Sequence, residues 1–395
     1  MTTLEDRTDR LRRWMFEDAL YLWWTVGADR HEGGFHEAID QDGCPHRAVR
    51  RVRVQARQTW VYATAGALGW DGPWRVAMEH GLDFRLRGFA RTDGLFAPTA
   101  AIGGRCSESP PLLYDQAFVL LALAAVVQVD AGRSDLRARA GSLLETIEDI
   151  HGHDGRGFRE ASAEHPFHAN PHMHLLEAAL AWATIDRSPV WDNLADRVAG
   201  LCLQAFVEPK FGSVREYFDG QWTPVAEPWG RIVEPGHQFE WAWLLGRWAV
   251  RRGNPGARAA AERLFEVGSR FGVDALRGVT FNSMNDEMLP VDLTARLWPQ
   301  TERIKAAVSL ASEASDHRTR AELLTQASGG IDALERYLDV AVRGAWWDKM
   351  TPAGLFVSEP APATSFYHIV GAILALSARL PAPGVKPMSA TTAPA

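Results

Sequence analysis

The residues of this chain best suited to moving protons are histidines standing three positions before a carboxylate. In Glu234-Pro235-Gly236-His237-Gln238-Phe239-Glu240-Trp241, Pro and Gly interrupt the chain and an apolar helix follows. His237 and Glu240 then share a face of its first turn. A carboxylate beside an imidazole orients it and raises its basicity, which suits a general base. The helix N-terminus opposes protonation and is expected to hold the imidazole near neutral. Asn170-Pro171-His172-Met173-His174-Leu175-Leu176-Glu177 repeats the arrangement with His174 and Glu177. Ser365-Phe366-Tyr367-His368 precedes a third apolar stretch, Ile369 to Leu376, and offers a second acid/base across a cavity from His237. Singly, each histidine can equally cap a helix or pack in a core; recurrence at matched places is what argues for chemistry. His172 and His174 also form His-x-His, but residues two apart on a helix point in different directions. No Cys, His and carboxylate cluster has zinc spacing, so no metal is expected.

Arg57, in Gln55-Ala56-Arg57-Gln58, is placed to start an inner helix, where a fixed guanidinium can hold sugar oxygens or a developing enolate. Arg296-Leu297-Trp298-Pro299-Gln300-Thr301-Glu302 sets a Trp and a carboxylate at another helix start, and Tyr114-Asp115 takes the same place in a further one. Trp298 and Trp346 are candidates for the apolar face of a sugar, with core packing the alternative.

These residues need elements to bring them together, and a repeat supplies them. A Gly/Phe turn recurs at Gly33-Gly34-Phe35, Gly94-Leu95-Phe96, Gly157-Phe158, Phe211-Gly212, Gly278-Val279-Thr280-Phe281 and Gly354-Leu355-Phe356, with anchors 55 to 76 residues apart. Each copy is followed by one of Arg57, Asp115, His174, His237, Glu302 and His368. A period near sixty residues fits two helices and their loops, so six copies predict twelve helices. Nearly continuous apolar stretches (Tyr114–Val129, His174–Ile185, Phe239–Val250) alternate with amphipathic ones (Leu136–Ile150, Val190–Val207, Ala257–Phe271). Inner helices covered all round and outer helices covered on one side make an all-α (α/α)6 barrel, with short β-hairpins and loops at one end. One catalytic domain is expected over residues 1–380, and a disordered Pro/Ala/Thr-rich tail over 381–395.

Composition narrows the partners. A net charge of −7 argues against nucleic acid. The longest apolar run is too short to span a bilayer, and the charged N-terminus does not read as a signal peptide. Cys44, Cys106 and Cys202 are scattered, as expected of a cytoplasmic protein. The sixteen tryptophans fit sugar-binding walls or large helical cores. There is no P-loop, dinucleotide fingerprint or Gly-x-Ser-x-Gly.

Taken together, Glu-Pro-Gly-His-Gln-x-Glu-Trp at 234–241, Met-His-x-x-Glu-Ala at 173–178, Ser-x-Tyr-His at 365–368, Gln-Ala-Arg-Gln around Arg57 and the Trp298…Glu302 pair resemble the N-acylglucosamine 2-epimerase superfamily over roughly residues 10–380. The resemblance implies an (α/α)6 barrel and cofactor-free proton transfer on a reducing sugar. It implies His237 and His368 as the acid/base pair and His174 as an aid to ring opening. Arg57 would sit at O1 and O2, with Glu240, Glu177 and Glu302 positioning histidines or hydroxyls. The expected reaction is mannose–fructose isomerisation through a cis-enediol, by a monomer or homodimer. The alternatives are a 2-epimerase acting on cellobiose or N-acylglucosamine, a mannose-6-phosphate isomerase, an inverting glycoside hydrolase and a sugar-binding scaffold. A phosphate, if bound, would call on Arg53, Arg105 or Arg231.

Overall fold

The computed structural model describes residues 3–101, 106–161 and 164–378. The chain opens with α1 (Leu4–Arg13), a π-helical stretch (Trp14–Ala19) and α2 (Leu20–Thr25), which together form one outer rod. Helices then alternate: α3 (Val52–Ala67), α4 (Trp74–Gly88), α5 (Leu113–Val129), α6 (Ser134–His151), α7 (Ala169–Ile185), α8 (Pro189–Leu201), α9 (Pro235–Arg252), α10 (Pro255–Phe271), α11 (Leu297–Glu313), α12 (His317–Leu338) and α13 (Ala363–Ser377). The odd-numbered helices from α3 to α13 pack neighbour on neighbour, and α13 returns to α3, closing an inner ring. Each carries an outer helix on its back; α1 lies against α13. The outer rod over residues 4–25 thus completes the sixth pair, a helix the repeat demanded but the charged N-terminus did not advertise.

Burial follows the sequence pattern. In α5 every residue from Leu113 to Val127 except Tyr114 is buried, whereas α10 buries one stripe built on Ala257, Ala261, Leu264 and Phe265. Three inner helices start earlier than their apolar runs. The first turn of α7 contains Pro171, that of α9 Pro235 and that of α11 Pro299. The first N–H groups of a helix have no intrahelical acceptor, so proline there marks a start rather than an interruption. His174 and His237 consequently sit inside helices, as His368 does in α13, and share their rigidity.

The N-terminal ends of the inner helices all open on one rim, which short strands stitch together. Some are local hairpins, such as Gly152–His153 with Gly157–Phe158 and Val273–Asp274 with Val279–Thr280, and others join one repeat to another. Arg50–Arg51 pairs with Thr99–Ala100, Phe167–His168 with Tyr217–Phe218, and Ala295–Arg296 with Lys349–Met350, linking one repeat to the next. Ala38–Ile39 pairs with Ala361–Pro362 and joins the first repeat to the last. The Gly/Phe turns are held by the fourth residue of the inner helices. Gln55, Gln116, Gln238 and Gln300 each accept from and donate to one residue of a turn: Phe35, Phe96, Val214 and Thr280, at 2.7 to 3.0 Å. In α7 His172 takes this place, accepting from the Phe158 N–H at 3.0 Å. The expected tail, 381–395, lies outside the described residues.

Candidate active site

Counted from the first helical residue, the sixth positions of the inner helices are Arg57, Phe118, His174, Glu240, Glu302 and His368. Six equivalent positions in a closed ring face one axis, so these side chains form a layer. His237 and Asp115 lie one turn nearer the rim, at third positions. Above the layer is a cavity of about 200 Å³ lined by Arg57, Tyr114, Asn170, His174, Glu234, His237, Glu240, Arg296, Trp298, Thr364, Ser365 and His368. That volume is below the usual range for drug-sized ligands and suits a ligand of one-ring size.

The partners of the two proton-transfer candidates differ. His237 Nδ1 lies 3.0 Å from Glu216 Oε1 and 3.7 Å from Glu234 Oε2. Burial works against its charge, but Glu216 and Glu234 outweigh it and raise the imidazole to about 10. Neither the expected pairing with Glu240 nor the near-neutral imidazole is found: Glu240 turns toward His174, 3.8 Å away. Two close carboxylates dominate the weaker field of the helix end. His368 Nδ1 lies 2.8 Å from Glu302 Oε1, while Glu302 Oε2 pairs with Lys305 Nζ at 2.7 Å. Burial pushes His368 well below the usual histidine range, and Arg57 and Lys305 add to this. At neutral pH His237 is therefore an imidazolium and His368 a neutral imidazole, and among the described residues each keeps Nε2 free of protein partners. Trp298 stands between them, its ring centroid 5.1 Å from that of His237 and 5.7 Å from that of His368.

Gly236 makes that placement of Trp298 possible. A Cβ there would come within 2.4 Å of the indole, which no side chain tolerates without displacing the ring. His174 Nδ1 is 3.5 Å from Glu177, to which Tyr367 also donates. Burial lowers His174 to about 4, so it too is neutral. Burial and the neighbouring Glu302 raise Glu240 well above the carboxylate range, which leaves it a neutral hydrogen-bond donor. Arg57 donates to Tyr114 Oη at 2.7 Å and to the Thr364 carbonyl at 3.3 Å, with its guanidinium carbon 4.1 Å from the Phe118 ring centroid.

The cavity thus gathers Arg57, Tyr114, His174, His237, Glu240, Trp298 and His368, while Glu177 and Glu302 act on it through the histidines. Two expected sugar contacts are displaced. Asp115 is fully buried and pairs with Arg53 at 2.7 Å, behind Tyr114. Trp346 is fully buried, stacked on Trp23 with centroids 4.9 Å apart. Its place before a Gly/Phe turn puts it in the seam between the outer rod and α13. Of the arginines considered for phosphate, Arg53 is tied to Asp115, Arg231 pairs with Asp286 and Glu287 away from this cavity, and Arg105 lies outside the described residues.

The reading from motifs missed Glu216, Glu234, Arg296, Lys305 and Tyr367 as functional residues. A signal for Glu216 was available: a glutamate trails three Gly/Phe turns, as Glu37, Glu160 and Glu216. The first two bind backbone N–H groups at helix starts, Arg51 and Leu113–Tyr114, and the third has been turned onto His237. Lys305 had no such signal; a lysine in an Ala-rich helix reads as surface.

Among the described residues three groups bring donor atoms within 4.8 Å of one another and could hold a metal ion: His174/Glu177/Glu240, Glu216/Glu234/His237 and Glu240/Glu302/His368. In each a carboxylate is already engaged, by Tyr367, His237 or Lys305. The His172–His174 pair is not among them: both ring nitrogens of His172 contact backbone, at Phe158 and His168.

The model of the N-acylglucosamine 2-epimerase family matches residues 33–372. A mannose-6-phosphate isomerase of Rhizobium meliloti is 44% identical over 370 residues, covering 93% of this chain and 95% of that one. A D-mannose isomerase of Thermobifida fusca is 29% identical over 369 residues, covering 86% and 87%. The crystal structure of a D-mannose isomerase superposes with a TM-score of 0.82 at 21% identity, over 95% of this chain and 97% of that one, which speaks for the fold.

Proposed function

This chain belongs to the N-acylglucosamine 2-epimerase family and is a sugar isomerase or epimerase, and we propose that it interconverts mannose and fructose through a cis-enediol, with His368 as base and His237 as acid. Residues 1–380 act as one cytoplasmic catalytic unit in this reading. The observation that carries it is a pair of histidines flanking Trp298 in a cavity of one-ring size, each with Nδ1 on a buried carboxylate, Glu216 for His237 and Glu302 for His368.

The open-chain aldose lies against Trp298. His368 Nε2 takes the C2 proton while His237 Nε2–H donates to O1, giving the enediol. His368 then returns its proton to C1, and the O2 proton passes to His237, leaving the ketone at C2. Both histidines end as they began, so nothing is consumed. Glu302 accepts the Nδ1–H of His368 and steadies the imidazolium that forms; the Lys305 pair keeps Glu302 in place. Arg57, held by Tyr114 and Thr364, binds the oxygens where charge develops. His174, neutral and beside Glu240, assists ring opening. Delivery of a proton by His237 to the far face of C2 would give the 2-epimer instead.

A phosphorylated hexose is the second reading, favoured by the activity for which the 44% identical relative is named. Arg296 lines the cavity, has among the described residues only a loose ion-pair partner, Asp348 at 3.6 Å, and is the cation for that phosphate in this reading. The test is kcat/KM for mannose, mannose 6-phosphate, cellobiose and N-acetylglucosamine with product analysis. Fructose as the main product, with mannose the better substrate, is expected. Preference for the 6-phosphate, abolished by Arg296→Ala, would establish the second reading. Exclusive 2-epimer formation would overturn both.

A further inference from the structure

The barrel has a second chamber at its other end. It holds about 900 Å³ and is lined by the C-terminal turns of α7, α9 and α11 and the start of α10. The sequence shows how it arises. Running down α9 from the catalytic layer, Glu240, Trp243 and Arg247 succeed one another at helical spacing, as do Glu302, Lys305 and Ser309 on α11. The first member of each series belongs to the catalytic layer, and the last lines this chamber. Trp243 lies between the two levels, its ring centroid 3.8 Å from Lys305 Nζ and 5.1 Å from the Arg247 guanidinium carbon.

Three arginines line the chamber, and two are occupied. Arg251 is paired with Asp192 at 2.6 Å, and Arg258 with Glu262 at 3.1 Å. Arg247 is half-buried and, among the described residues, has neither an ion-pair partner nor a hydrogen bond from its guanidinium. Burial pulls the Arg247 guanidinium below the usual arginine range, and Glu177 and Tyr367, acting from beyond ion-pair distance, offset this only in part; its fork matches two oxygens of one oxyanion. Around it are apolar surfaces from Leu180, Val250 and Leu310. Asn254 spends its Oδ1 on the α10 cap, accepting from the Ala257 N–H, which leaves its amide N–H₂ for an acceptor.

We propose that this chamber binds a small organic carboxylate, its oxyanion forked on Arg247 and its apolar body against Leu180, Val250 and Leu310. The volume lies within the range of small-molecule sites. The site is separate from the sugar cavity and does not depend on which sugar that cavity takes.

Calorimetric titration of the full-length protein with hexanoate, and separately with inorganic phosphate, tests this. Hexanoate is expected to bind, and Arg247→Gln to weaken it at least about tenfold, about 1.4 kcal/mol. Arg247→Lys should fall between the two, because an ammonium keeps the charge but loses the fork. Thr184→Trp, a change at an exposed position on the chamber rim, should also weaken binding without touching the core. Melting temperatures of the variants identify any that fail to fold, and the Thr184 variant keeps the test decisive if Arg247→Gln is one of them. Absence of hexanoate binding, or binding unchanged in both variants, would overturn the site. Phosphate binding more tightly than hexanoate would overturn the class of ligand.

Discussion

At the residue level the account rests on carboxylates assigning different jobs to chemically identical side chains. His237 stays charged because Glu216 and Glu234 outweigh its burial. The proposed acid must be protonated, so kcat/KM should hold through neutral pH and fall as pH rises through about 10. Glu216→Gln removes the nearer carboxylate and lowers that imidazole, so the alkaline limb should move to lower pH. A limb left unmoved would detach His237 from the acid role. His237→Asn and His368→Asn should each cost about 10²–10⁴ in kcat, the usual worth of a positioned acid or base. Gly236→Ala, one methyl group, should cost activity by pushing Trp298 from between the histidines, and its loss of kcat/KM should exceed its loss of melting temperature. His237, His174, His368 and Arg57 were legible because catalytic residue types stood at recurring places. Glu216, 21 residues from His237, was not read as that histidine's partner because a contact made through folding has no local spacing, whereas Glu234 stands three residues before His237 and was passed over for Glu240 on its other side.

At the level of elements the repeat is held by side-chain clamps as well as by strands. Gln238 satisfies both backbone groups of Val214, and a buried N–H or C=O left unpaired costs about 1–3 kcal/mol. Gln238→Leu should therefore lower the melting temperature clearly and also loosen the loop carrying Glu216, shifting the alkaline limb in the same direction as Glu216→Gln. The alternation of inner and outer helices was readable from the apolar and amphipathic patterning, and the period from the Gly/Phe turns. The helix starts were not. Pro171, Pro235 and Pro299 look like breaks until the unpaired N–H groups of a first turn are taken into account. The short hairpins were read correctly where they are local, as at Gly152–His153 with Gly157–Phe158, but the pairing of Phe167–His168 with Tyr217–Phe218 was missed because it joins segments about a repeat apart.

At the level of the molecule, ring closure turns six modest elements into one site. Packing of α13 on α3 brings Thr364, from the last repeat, onto Arg57 from the first. The polar layer this creates sets Glu240 and Glu302 beside two neutral histidines, with Glu177 next to His174, and such groups could bind a divalent ion. Because Tyr367 and Lys305 already engage Glu177 and Glu302, activity should survive extensive dialysis against EDTA, and recovery by added Zn²⁺, Mn²⁺ or Mg²⁺ should be nil. The closing strand pair, Ala38–Ile39 with Ala361–Pro362, was beyond reach of the sequence because nothing local marks it, although the repeat required a closure somewhere.

The most direct test of the central claim is proton NMR of mannose incubated in D2O with the wild-type protein and with His368→Asn. The wild type should yield fructose carrying deuterium at C1, as solvent exchanges with the proton held on His368, and the variant should show neither fructose nor exchange. Fructose formed by the variant at the wild-type rate with the same labelling would contradict the assignment of His368 as the base.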